Sequence, residues 1–98
     1  MQKRGVRAGR PLGATTFEAG PALAFGAAVR EKRLSRNLSQ EELASRARVD
    51  RSHMGKIERG EHLPSLVIVL RLAEVLDCRA GDLLDRTEEL LRAAPPAG

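Results

Sequence analysis

The chain has 98 residues, room for one small domain and little more. Its 17 Lys and Arg against 13 Asp and Glu leave a formal charge of +4, unevenly spread: residues 1–21 carry a net +3, residues 22–60 a net +4 and residues 61–98 a net −3. A basic front and an acidic end point to an anionic partner, nucleic acid first, while the single cysteine, Cys78, excludes an intrachain disulfide and a multi-cysteine zinc site and suits a reducing cytoplasm.

Residues 1–21 are rich in Gly, Pro, Ala and Arg and read as a flexible basic N-terminal arm. Two roles stay open for it. It is either a solubilising tail, or Lys3, Arg4, Arg7 and Arg10 follow the DNA backbone or enter a minor groove. Residues 22–92 carry dense helical patterning, and 93–98 (Ala-Ala-Pro-Pro-Ala-Gly) read as a disordered tail.

The first helix is predicted from about Ala22 to Arg36, with Phe25, Val29 and Leu38 as apolar contacts and Asn37 as a left-handed stop. Arg30, Lys32 and Arg33 follow the apolar stretch Ala22–Val29 and argue against a signal peptide. Ser39-Gln40-Glu41-Glu42 has the form of a capping box and opens a second helix with Leu43, Ala44 and Ala47 inward. Arg48-Val49 make a tight connection to Asp50, read as the N-cap of a third helix with Met54 and Ile57 inward. Gly60 ends it, Pro64 blocks continuation, and Ser65 caps a fourth helix reaching about Leu76.

Leu66-Val67-Ile68-Val69-Leu70 is also compatible with a buried strand, since β-branched residues favour strands. Helix is preferred because Leu66, Leu70, Ala73 and Leu76 share one face and no second strand is available to pair. Ile68, Leu72 and Val75 form a second apolar stripe, for the fifth helix or another subunit. The fifth helix starts at Ala80 or Gly81 and continues through Glu88–Arg92. The longest strictly apolar run, Leu66–Leu70, is far too short to span a bilayer. Phe17 and Phe25 are the only aromatics among Phe, Tyr and Trp, so an aromatic platform for stacking bases is excluded.

Residues 39–60 are the most specific constellation: two short helices around a tight turn, apolar inside and polar outside. The outer positions of the second are Arg51, Ser52, His53, Gly55, Lys56 and Arg59. A DNA-reading helix needs this form, short and with donors on its outer face.

Arg33, Leu38-Ser39-Gln40-Glu41-Glu42-Leu43-Ala44, Ile57-Glu58-Arg59-Gly60, Pro64-Ser65-Leu66, Ala73, Leu76 and Leu83-Leu84 together resemble a Cro/cI-type (XRE) helix-turn-helix domain over residues 25–84. The resemblance implies an all-α, five-helix Cro/cI-like fold whose second and third helices read DNA. It implies that Gln40 holds the DNA backbone or touches a base edge, that Asp50, Arg51, Ser52 and Lys56 face the groove, and that Arg33 and Glu58 form a structural ion pair. Asp50 departs from the usual Ser or Thr, and its acid would repel phosphate, so its role is read as N-cap alone. Gly55 lowers helix propensity by about 1 kcal/mol against Ala and leaves room for DNA or for a neighbouring side chain.

The expected DNA-binding set is Ser39, Gln40, Arg48, Arg51, Ser52, His53, Lys56 and Arg59. Arg51 stands at a helix N-terminus against the dipole, which favours a functional reason for it, and Arg can grip guanine O6 and N7 together. His53, His62 and Cys78 lack metal-ligand spacing, so neither a metal nor a cofactor is expected. There is no Gly-rich phosphate loop and no nucleophile–base set, and an enzyme is not expected. A lone reading helix covers few base pairs. The expected protein is therefore a cytoplasmic homodimeric transcriptional regulator on a palindromic double-stranded operator. Ile68, Leu72, Val75, Leu83 and Leu84 supply the expected dimer surface. The alternative is an antitoxin or other module that binds a protein partner with the same fold.

Overall fold

The computed structural model describes residues 18–93. Most of the proposed arm (1–17) and most of the proposed tail (94–98) lie outside the described residues. Five helices follow in order: α1 Ala19–Ser35, α2 Gln40–Ala47, α3 Arg51–Glu58, α4 Leu66–Val75 and α5 Ala80–Ala93. There is no strand among the described residues, whose five helices match the all-α expectation.

Helix α1 begins at Ala19, three residues ahead of the predicted start. Pro21 lies in its first turn, where the backbone N–H has no partner inside the helix and its absence leaves nothing unsatisfied. Gly20 and Pro21 therefore belong to the domain and not to the arm. Helix α5 likewise takes in Ala93, one residue beyond the predicted end.

The ends of the helices follow the local chemistry. Asn37 is left-handed at φ 58°, and the Leu38 N–H returns to the Arg33 carbonyl at 3.2 Å, closing α1. At α2 the Glu42 N–H donates to Ser39 Oγ at 2.9 Å and the Ser39 N–H to Glu42 Oε1 at 2.8 Å, so both halves of the capping box are made. Ser65 Oγ accepts from the Ile68 N–H at 3.3 Å and starts α4. Asp82 Oδ2 accepts from the Arg79 N–H at 2.9 Å at the head of α5. Gly60 closes α3 at φ 75°.

One core joins all five helices. Phe25 and Val29 of α1 meet Leu43, Ala44 and Ala47 of α2, Met54 and Ile57 of α3, Val69, Leu72, Ala73 and Leu76 of α4 or its end, and Leu83 of α5. Helix α1 packs on α3 and α5, while α2 packs on α3 and α4. Gly26 makes the α1–α3 contact possible, because a Cβ there would run into the carbonyls of Ile57 and Glu58. Its cost inside a helix, about 1 kcal/mol, is offset by that approach.

Helix α4 is rotated from the sequence expectation. Val69, Leu72, Ala73 and Leu76 face inward at i, i+3, i+4 and i+7. Leu66 and Leu70, expected in the core, are 70% and 52% exposed beside Val67 at 54%. Both faces are apolar, so periodicity alone does not choose between them. Docking on α2 and α5 decides. The expected dimer surface is corrected accordingly: Leu72 at 0% and Leu83 at 2% are core residues of the single chain and offer nothing to a second one. Ile68 and Val75 are half-buried against the same core. Leu84 alone of that set is exposed.

Candidate nucleic-acid interface

The reading unit is α2, its turn and α3. The turn reverses through Arg48, which takes the left-handed conformation at φ 59° and ψ 48°, and the Val49 N–H returns to the Ala44 carbonyl at 2.9 Å. Val49 itself is buried and pins the turn to the core. Nothing in an arginine announces a positive φ, so sequence reasoning saw a tight connection here but not its geometry. Asp50 occupies the N-cap position of α3, but its side chain makes no capping bond. The expectation that capping is its role is not met. At the start of α3 only the position of Asp50, and not its carboxylate, serves the helix.

Helix α3 is two-sided. Met54, Gly55, Ile57 and Glu58 are buried. Arg51, Ser52, Lys56 and Arg59 are exposed and His53 is half-buried. Ser39, Arg46 and Arg48, which flank the pair of helices, are exposed as well. The unit thus turns a buried apolar side to the domain and a side rich in N–H and O–H donors outward.

Behind that face lies a buried network. Arg33 Nε donates to Glu58 Oε2 at 2.7 Å and Arg33 Nη2 to Glu58 Oε1 at 3.0 Å, a bidentate pair. Arg33 Nη1 also donates to the Leu38 carbonyl at 2.9 Å. Gln40 Nε2 donates to Glu58 Oε1 at 3.1 Å, a bond across 18 residues that leaves no trace in the sequence. Three helices are locked together through one carboxylate, and the amide of Gln40 is engaged within the domain. Gly55 has its reason here: a Cβ would crowd the guanidinium of Arg59 and the side chain of Gln40. The neighbouring side chains use the space that the sequence left open between them and DNA.

Two outer cations have partners. Arg59 Nε donates to Glu61 Oε2 at 2.9 Å and Nη2 to Oε1 at 3.3 Å. Those bonds hold the Glu61 carboxyl below the usual carboxylate range and raise the Arg59 guanidinium above its own. Arg51 Nη1 stands 3.9 Å from Glu41 Oε2, both side chains largely in water, a contact of little strength. The imidazoles of His53 and His62 meet edge to face, with centroids 5.4 Å apart. Among the described residues no group of three or more His, Cys, Asp or Glu side chains gathers to hold a metal. Burial raises the Cys78 thiol above its ordinary range. No described helix is long and apolar enough to cross a membrane.

A five-helix domain with this two-helix reader defines a DNA-binding regulator of the XRE type. The helix-turn-helix family model matches residues 29–83, and the chain belongs to that family. It is similar to the control protein C.BamHI of Bacillus amyloliquefaciens, 41% identical over 66 residues that take in 66% of this chain and 82% of the relative. It is also similar to an uncharacterised HTH-type transcriptional regulator of Archaeoglobus fulgidus, 35% identical over 64% of this chain and 89% of the relative. Among solved structures, the restriction-modification controller protein C.AhdI of Aeromonas hydrophila is 44% identical at a TM-score of 0.62, covering 63% of this chain and 94% of its own. The clp gene regulator ClgR of Corynebacterium glutamicum is 25% identical at a TM-score of 0.72, covering 74% and 77%. The function is DNA-binding regulation of transcription.

Proposed function

We propose that the chain acts in the cytoplasm as a homodimer that seats α3 of each subunit in the major groove of a palindromic operator. The observation that carries this reading is the two-sided α3, with Arg51, Ser52 and Lys56 exposed on the outer face and Met54 and Ile57 wholly buried behind it. Arg51 reads a guanine through O6 and N7. Ser52 and Lys56 extend the contact along the groove. Ser39, Arg48 and the first N–H groups of α2 hold phosphate, with Gln40 beside them and His53 at the margin. Arg59 joins only by exchanging Glu61 for a phosphate.

The dimer is built on the exposed apolar side of α4, Leu66, Val67 and Leu70, with Leu84 of α5 as a further contact. Two subunits then meet half-sites about 34 Å apart. The control protein and the restriction-modification controller protein similar to this chain support a role as a controller of gene expression. A protein partner on the same α4 surface, as an antitoxin would have, is the competing reading, and a complex of unequal chains in solution would favour it.

Selection of bound sequences from random duplexes tests the proposal, and a palindrome with two half-sites is the expected result. On the selected site Arg51→Ala should cost about 1–3 kcal/mol and relax one base position. Equal losses on selected and random DNA would make Arg51 a phosphate contact and remove it from the readers.

A further inference from the structure

We propose that His53 and His62 form a two-imidazole chelate for one late first-row divalent cation such as zinc, nickel or copper(II). His53 projects from α3 and His62 from the loop after it, nine positions on. Their ring centroids are 5.4 Å apart and the rings lie at 73° to each other. Two imidazoles that share a tetrahedral metal with bonds of about 2.0–2.1 Å hold their centroids about 5.2 Å apart, so the rings already stand at chelating distance. The χ2 torsion of a histidine is broad, so each ring can turn to present a nitrogen to a shared ion while α3 stays in place.

The surroundings select the kind of ion. Glu61, next to His62 in the chain, is held by Arg59, and the charge of Lys56 reaches the same carboxylate. A hard cation that needs anionic oxygen ligands finds none free and two positive charges nearby. A softer ion bound through neutral imidazole nitrogens needs no anionic ligand. No third protein ligand stands at this place among the described residues. The remaining coordination positions are therefore left to water. His62 is exposed, so the ion enters directly from solvent. Bound there, it links the loop to the reading helix and adds positive charge to that helix. The assignment rests on ring geometry alone and stands whether or not α3 enters a groove.

The tag-free full-length chain, titrated with zinc, nickel or copper(II) alone against a chromophoric chelator, should take up one equivalent. His53→Ala and His62→Ala should each weaken uptake at least tenfold, and the double variant should be no worse than either single one. Circular dichroism of the variants checks that the fold is retained. His62 is a surface residue, so its variant remains informative even if His53→Ala fails to fold. No uptake by the parent chain, or uptake unchanged in His62→Ala, would overturn the site.

Discussion

Arg48 is the residue whose conformation and chemistry pull in opposite directions. A left-handed L residue costs about 1–2 kcal/mol, and glycine is the ordinary solution at a helix end. The side chain is exposed and makes no bond among the described residues that repays the conformation. Arg48→Gly should therefore raise stability by up to about 1 kcal/mol in urea unfolding, because relieved strain outweighs the flexibility of an unfolded glycine. The same change should weaken binding to selected and random DNA alike and reduce the slope of log affinity on log salt by about 1. An unchanged slope would take Arg48 out of the phosphate contacts. Glu58 shows the converse case at the same scale. Its buried carboxylate receives bonds from both Arg33 and Gln40, so loss of Arg33 would strand the charge of Glu58, and loss of Glu58 would strand Arg33 and leave the Gln40 amide without its partner.

The helices owe their limits to short-range chemistry, which is why most of their ends were legible. Ser39, Asn37, Gly60 and Ser65 each act on groups within a few residues, and each does what its type prescribes. Asp50 differs, for it holds the N-cap position without using its carboxylate. The capping box of α2 also gives the fold a dependence on acid. The backbone and hydroxyl of Ser39 hold the Glu42 carboxyl below its ordinary range. A carboxyl with a lowered pKa in the folded state binds fewer protons than in the unfolded chain, so stability rises with pH through this window. That contribution is complete above the ordinary carboxylate value of about 4.3 and is lost as pH falls through the folded value. Glu31, lowered by its bonds from Arg86 between α1 and α5, has the same sign. Glu42→Gln should flatten the dependence of unfolding free energy on pH between about pH 5 and pH 3. A slope identical to that of the parent chain would show that the box does not couple to acid stability. The face of α4 was not legible for the opposite reason. Leu66 and Leu70 compete with Val69 and Leu72 on hydrophobicity alone, and only the long-range packing of α4 on α2 and α5 separates them.

At the scale of the whole molecule the charge division acquires a location. The cations around the reader, Arg46, Arg48, Arg51 and Lys56, are exposed on α2, the turn and α3. The apolar side of α4 belongs to the part of the chain that carries net negative charge. If that side joins two subunits, Leu70→Glu should yield a folded monomer in sedimentation and weaken binding to a two-half-site duplex far more than to a single half-site. A dimer that survives Leu70→Glu would move the interface elsewhere. Leu72→Glu is a different experiment, because it places a carboxylate in the core and should prevent folding. The reader's chemistry could be seen in the sequence because helix spacing sorts inner from outer residues over a short span. The ties behind it could not, since Arg33 and Glu58 are 25 residues apart and only the resemblance joined them.

The close approach of Gly26 to the last carbonyls of α3 has a consequence for how this scaffold can change. Main chain rests against main chain there, and the seat of the reading helix does not depend on the side chains it shows to solvent. Arg51, Ser52 and Lys56 can be exchanged together while that seat stays where it is. If those side chains read the operator as proposed, a lineage built on this domain can acquire new operators by surface substitution alone, and so can a designer, provided position 26 remains glycine.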